Sequence, residues 1–467
     1  MKLKDTRIFK IALALGISAA LMAGMGACGS QTTASAETAD NGTAQEQTAD
    51  QETVTNEANV TSTGAIDASD IFTDRDMEQT ADLTDAVYYT VSDGQDINIT
   101  EAGVYVISGT AKNVTITVEA ADEDKVQIVL DKADITNEND PVIYVKSADK
   151  VFVTTTDTEN TLAVTGEFTA DGDTNTDAVI FSKDDVVLNG TGTLNIESSA
   201  NGVTSKDDLK ITGGTVNITS QEDALEANDS IAVADGNITI SSQKDAMHAE
   251  NDEDNTVGYI YICGGTFKIT ASDDGIQGTT IVQIDGGDFD ITSAEGIEAT
   301  QVEINGGTIN IEATDDGING SQKSTAVSVS AAINGGEINI SMGQGDTDAV
   351  DVNGDLSITG GTINISAQSP FDVDGNVNFT GGTVIENGQE VSQITNQMMG
   401  GGMMGNFNGG QRGGMPGSNQ NGQQLMPGQN SQGGPGGQPP QGGPGGQAPS
   451  GNSGSQPDFS GQPSQQG

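Results

Sequence analysis

The sequence predicts an all-β chain folded as a single-stranded parallel β-helix, a solenoid, between a disordered N-terminal stalk and a disordered C-terminal tail. Three observations lead there. A glycine turn recurs every 20 to 29 residues, aliphatic and polar residues alternate strictly after each turn, and large aromatics are scarce. The 467 residues include 63 Gly, no Trp and only 4% aromatic residues. That is too little ring surface for a core built on aromatics, whereas a stack of Ile and Val in a narrow interior needs none.

The second residue of the turn is Gly192, Gly214, Gly236, Gly265, Gly287, Gly307, Gly336, Gly361 and Gly382. Clean copies run Ile211-Thr-Gly-Gly-Thr-Val-Asn-Ile218 and Ile304-Asn-Gly-Gly-Thr-Ile-Asn-Ile311. After each turn the apolar residues alternate, as in Val216 and Ile218, Phe267 and Ile269, Ile309 and Ile311. Between them stand Asn195, Asn217, Thr239, Lys268, Asp290, Asn310, Asn339 and Asn364. Alternation of this kind marks half-buried strands. A unit of two or three such strands buries its aliphatic face only by stacking on its neighbours. Leucine-rich repeats share the period but need a leucine consensus that is absent here. Upstream, Gly103–Gly109, Val114–Val118 and Val126–Leu130 read as less regular opening coils. Glu250–Gly258 and Ser321–Ser328 read as loops that leave the coil without breaking it.

The flanks differ in composition. Residues 1–27 read as a signal peptide: Lys2, Lys4, Arg7 and Lys10 precede an apolar run, Ile11 to Ala23, too short for a typical membrane span. The following Met25-Gly26-Ala27-Cys28 resembles a bacterial lipoprotein signal, which implies lipidation of Cys28 and a membrane-anchored, outward-facing protein. Residues 28–66 lack Lys, Arg and periodicity and read as a flexible stalk. Residues 396–467 are Gly, Gln, Pro, Asn and Met, a composition that cannot bury a core.

The net charge of −51 divides unevenly: +3 in the signal, −6 in the stalk, 0 in the tail, and therefore −48 in residues 67–395. Nucleic acid is excluded as a partner, because polyanion would meet polyanion. Cations are the first candidates.

Much of that charge recurs once per coil, before a short strand. The copies are Asp223-Ala-Leu-Glu226, Asp245-Ala-Met-His248, Asp274-Gly-Ile-Gln277, Glu295-Gly-Ile-Glu298, Asp316-Gly-Ile-Asn319 and Asp348-Ala-Val-Asp351. The apolar residue and the small residue two positions on should face the core. The leading acid should sit at a corner, with Glu226, His248, Gln277, Glu298, Asn319 and Asp351 pointing outward. Stacked coils place equivalent residues ~4.8 Å apart. Two carboxylates at that distance repel by roughly 1 kcal/mol in water and ~3.5 kcal/mol at an effective dielectric of 20. The column must protonate, splay or hold a cation. Oxygen ligands with almost no His or Cys select Ca²⁺, so Asp223, Glu226, Asp245, Asp274, Glu295, Glu298, Asp316, Asp348 and Asp351 are candidate calcium ligands. The alternative is that these acids cap corner N–H groups and bind nothing. His248 has no catalytic partner at a recognisable spacing and reads as polar filler in the ladder.

The segments Ile180-Phe-Ser-Lys-Asp-Asp-Val-Val-Leu-Asn-Gly190 and Gly202-Val-Thr-Ser-Lys-Asp-Asp-Leu-Lys-Ile-Thr-Gly-Gly214, with the Asp-Gly-Ile copies, resemble the clostridial-type carbohydrate-binding domain-containing lipoprotein family. The resemblance spans roughly residues 70 to 395. It implies a right-handed, pectate-lyase-like parallel β-helix with bound calcium and affinity for cellulose or acidic polysaccharide such as polygalacturonate. Tyr259 and Tyr261, beside the acidic Asp252 and Asp254, are the best aromatic pair for glycan contact. A calcium-bridged grip on an anionic glycan suits the composition better than stacking.

A monomeric binder rather than an enzyme is expected. Polysaccharide lyases on this fold pair calcium with a Lys or Arg base, but Lys183 and Lys206 stand beside aspartates that keep them protonated. The alternatives are a lyase on the same fold and a calcium-stiffened spacer or adhesin. With Cys28 lipidated, Cys263 has no partner, and no disulfide is expected.

Overall fold

The structure is a computed structural model that describes residues 66–395 apart from Asp252, Gly345 and Asp346. The expected signal peptide, Cys28, the stalk to residue 65 and the tail lie outside those residues. Among the described residues there is no helix.

One coil illustrates the rest. Strand Asp208–Ile211 runs into the Gly213-Gly214 turn, Thr215–Ser220 follows, the corner carries Asp223, and Leu225–Ala227 forms a third short strand. Ser230–Val233 then stacks on Asp208–Ile211 in parallel register, one coil later. Three parallel sheets result. The first contains Thr215–Ser220, the second Leu225–Ala227 and the third Ser230–Val233. Among the described residues, antiparallel pairing is confined to the Asp171–Thr174 bridge and to the closing hairpin of Thr383–Glu386 with Gln389–Val391.

Alternation in sequence becomes columns in the core. Ile218, Ile240, Ile269, Ile291, Ile311, Ile340 and Ile365 stand in register on the first sheet and are all buried. Beside them Phe267 and Phe289 stack with centroids 4.4 Å apart. On the second sheet Leu225, Met247, Ile276, Ile297, Ile318 and Val350 form the equivalent column, as the ladder pattern requires.

Both glycines of the turn are needed, for different reasons. Gly307 has φ +94°, a conformation that L side chains avoid. A Cβ on Gly306 would meet the Asp285 carbonyl of the coil below at 2.5 Å. Gly192 departs from the expected series: the positive φ falls two residues earlier, at Gly190.

The third sheet holds the largest surprise. Its outward column runs Phe152, Val187, Lys210, Ala232 and Tyr261, apolar but for the lysine where a solvated face would be polar throughout. Residues 66–79 cover it. Ile66 and Ile71 pack with Tyr259, Tyr261 and Ile281, the Arg75 guanidinium lies 4.6 Å from the Phe152 ring centroid, and the fully buried Asp76 pairs with Lys150 at 3.4 Å. The segment before the first coil is thus a strap along the solenoid. The two predicted loops also meet: Asn255 Nδ2 donates to Thr325 Oγ1 at 2.8 Å, and Ser324 Oγ to the Asn255 carbonyl at 2.6 Å.

Candidate cation and glycan site

The leading acids line the corner between the first and second sheets, and three of them have a structural task. Asp223 Oδ1 accepts the Asp245 N–H at 3.0 Å, Asp245 Oδ1 the Asp274 N–H at 2.8 Å, and Asp316 Oδ1 the Asp348 N–H at 3.1 Å. Asn201, which has no acid, caps Asp223 in the same way at 3.0 Å. At these three positions one carboxylate oxygen therefore pegs a coil to the next. The capping alternative is realised, and it leaves the second oxygen over.

Those second oxygens converge at two places. Asp223, Asp245 and His248 offer ligand atoms within 4.8 Å of one another, and so do Asp274, Glu295 and Glu298. A third set joins Asp245 and Asp274 through Asp273, an exposed acid outside the ladder pattern.

The first cluster contains its own cation. His248 Nδ1 lies 3.5 Å from Asp223 and 3.6 Å from Asp245, and Nε2 sits 3.3 Å from Glu250, an ion-pair distance without hydrogen-bond geometry. Burial works against the charged imidazole, but Asp223, Asp245 and Glu250 outweigh it and push the pKa up to about 8. Asp223 is correspondingly held below the usual aspartate range: its burial is overcome by His248 and the Asp245 N–H. Asp245 is raised to about 6 by burial. His248 is a counter-ion, not polar filler. The signal was its place in the column between two leading acids.

The second cluster is richer in oxygen. Burial, then Asp245 and Glu295, push Asp274 up to about 8, and burial with Glu298 pushes Glu295 to about 7. Gln277 Nε2 donates to Asp274 and, at 3.1 Å, to Glu298. Asn319 Nδ2 donates to Glu295 at 2.9 Å and to Glu298 at 3.2 Å, while its buried Oδ1 finds no hydrogen-bond partner among the described residues. Turning these two amides would bring neutral oxygens into the cluster beside the carboxylates. Three carboxylates and two amide oxygens suit a hard divalent ion such as Ca²⁺. Lys323 enters from the 321–328 loop, with Nζ 2.6 Å from Glu298 Oε2. Nothing in the repeat placed that lysine there.

The remaining expected ligands behave differently. Glu226 is fully engaged by protein donors: Asn201 Nδ2 at 2.7 Å, Thr204 Oγ1 at 2.8 Å and Lys206 at 3.3 Å. Asp316, Asp348 and Asp351 do not join a three-residue cluster among the described residues. Burial raises Asp316 to about 7 and Asp351 to about 6. The outward column is also less exposed than expected, with Glu298 and Asn319 buried.

The aromatic pair needs correction. Tyr259 and Tyr261 do share the outer side of their coil, but both are buried beneath the strap, and Tyr261 Oη donates to Asp285 at 2.9 Å. Neither ring is open to a glycan. Asp254 closes its own loop through the Thr256 N–H and hydroxyl, and Asp252 lies outside the described residues. Cys263 is disulfide-bonded, contrary to the expectation of no disulfide.

Residues 93–349 match the family model for carbohydrate-binding domain-containing proteins. The chain belongs to that family. A carbohydrate-binding domain-containing protein of Acetivibrio thermocellus is 35% identical over 156 residues, which are 32% of this chain and 53% of that protein. The match thus spans about half the length of that relative. Among solved structures, a polysaccharide lyase-like protein from C. thermocellum, determined as a gadolinium derivative, is 31% identical. It covers 48% of this chain and 96% of its own, with a TM-score of 0.44.

Proposed function

We propose that this family member is a cell-surface binder of acidic polysaccharide that works through Ca²⁺. The observation that carries the reading is the Asp274–Glu295–Glu298 cluster, where two acids titrate near neutrality because burial and like charge oppose their ionisation. Asp274, Glu295 and Glu298 would hold the ion, with Gln277 and Asn319 completing the oxygen set. A bound divalent ion supplies positive charge that a uronate carboxylate can share. Without it, a solenoid of this acidity repels a polyuronate.

Binding rather than lyase chemistry is favoured by the state of the bases. Carboxylates hold the Lys323 and Lys244 pKa values above the usual lysine value, Lys323 against its burial and Lys244 chiefly through Glu222. An ammonium cannot abstract a proton.

The test is retention on immobilised polygalacturonate. The native chain should be retained in Ca²⁺ and released by EDTA. Asp274→Asn combined with Glu295→Gln should lose at least tenfold in retention, while Glu226→Gln should match the native protein. Retention that ignores chelator would overturn the reading.

A further inference from the structure

One loop touches two places that the coil keeps apart. Residues 321–328 leave the solenoid between Asp316–Gly320 of the second sheet and Ser330–Ile333 of the third. At its start the loop closes on the second cation cluster. Ser321 Oγ donates to Glu298 Oε1 at 2.7 Å, and Lys323 Nζ lies 2.6 Å from Glu298 Oε2. The Lys323 and Ser324 N–H groups donate to Thr300 Oγ1 at 3.0 and 2.8 Å. Four residues after Lys323, Val327 packs against the apolar cluster in which Ile66 and Ile71 of the strap meet Tyr259, Tyr261 and Ile281. Between these contacts Ser324 and Thr325 are tied to Asn255. The loop therefore bridges a candidate metal ligand and the strap.

The two ends of the strap are held by different means. Around Asp76 and Gln79 the hold is polar. Asp76 pairs with Lys150, its carbonyl accepts from Thr212 Oγ1, and Gln79 Oε1 accepts the Gly190 N–H at 3.0 Å. The 66–72 end is held by apolar packing, to which Val327 contributes, and by the Ile66 N–H donating to Gln283 Oε1 at 2.8 Å. The end that depends on the loop is thus the end without a buried ion pair.

We infer that this loop is a cation-operated latch: a divalent ion taken up by Asp274, Glu295 and Glu298 expels the Lys323 ammonium, and the departing loop withdraws Val327 and frees the 66–72 end of the strap. The inference rests on the cation reading above and adds a regulation to it. An ammonium and a divalent ion cannot share one buried carboxylate, because the like charges repel where water screens them little. Two arrangements follow. In one, Lys323 neutralises Glu298 and the strap is docked. In the other, the ion takes that place and the strap end is free. The ion thus has a differential contact with the two states, which is what a ligand needs to shift their balance. Such coupling is mutual, so docking of the strap weakens the ion by the same factor as the ion weakens docking. The apolar surface around Tyr259, Tyr261 and Ile281 is then uncovered only in the loaded protein.

Hydrogen exchange of the full chain in Ca²⁺ and in EDTA, read by mass spectrometry, tests the latch. Residues 66–72 should exchange about tenfold faster in Ca²⁺, while the core strand Thr308–Ala313 is unchanged. In Lys323→Met the ion has no ammonium to expel, and Ca²⁺ should leave the exchange of the strap unaltered. Ile71→Asp, which undocks the same end, should raise calcium affinity in calorimetry by the same factor of about ten, and only while Lys323 is present. Strap exchange that is equal or slower in Ca²⁺, with calcium bound by calorimetry, overturns the latch and leaves the cation reading standing. Equal acceleration in Lys323→Met also overturns it. Absence of any calcium heat overturns the cation reading and the latch together.

Discussion

Two corners of one ladder, one coil apart, meet the same electrostatic problem with different means. At Asp223 and Asp245 the counter-charge is a side chain of the column itself, His248, in register between Glu226 and Gln277. At Asp274, Glu295 and Glu298 the column supplies only amides, and the nearest cation, Lys323, reaches in from a loop. The first corner is a closed ion cluster. The second keeps raised carboxylates and an orphaned amide oxygen. A repeat can thus carry one acid at every turn while leaving only some turns open to an external ion.

The largest expected difference between the corners concerns pH. His248 has a folded pKa of about 8 against an ordinary value of about 6.5. Its contribution is fully present below the unfolded value and lost as pH rises through the folded one. His248→Gln should therefore cost about 2 kcal/mol more at pH 6 than at pH 9. Urea denaturation at both pH values measures it, and equal losses would remove His248 from the role of counter-ion. A smaller effect is expected at the second corner. Lys323→Met removes the ammonium that competes with an external ion, and calcium affinity by calorimetry should rise about tenfold, or about 1.4 kcal/mol. A weaker or unchanged affinity would mean that Lys323 does not share the site with the ion.

The fold was legible because its rules repeat. Glycine turns, alternation and the Asp-Gly-Ile copies each occur many times, so the Ile columns and the core face of the second sheet follow from spacing alone. What did not repeat was hidden. Ile66, Ile71 and Phe72 belong to no coil, and no periodicity tells that they lie across Tyr259 and Tyr261. For the same reason the tyrosines read as open. Lys323 sits in an insertion, off register, and only the folded loop brings it to Glu298. The nine acids named as ligands differ in how the fold engages them. Glu226 is taken up by Asn201, Thr204 and Lys206, partners that the Asp-x-x-Glu spacing does not reveal.

The central claim is that the second corner needs a cation once its acids ionise. Asp274 and Glu295 have folded pKa values raised to about 8 and 7. Between pH 4 and 8 the metal-free folded state therefore binds more protons than the unfolded chain, and its stability falls as pH rises through that window. Thermal unfolding at pH 8 and pH 5, each with excess Ca²⁺ and with chelator, tests this directly. The account predicts that chelator lowers the melting temperature by about 5 °C at pH 8, that Ca²⁺ restores it, and that the gap narrows at pH 5. Identical transitions at pH 8 with and without calcium would contradict it.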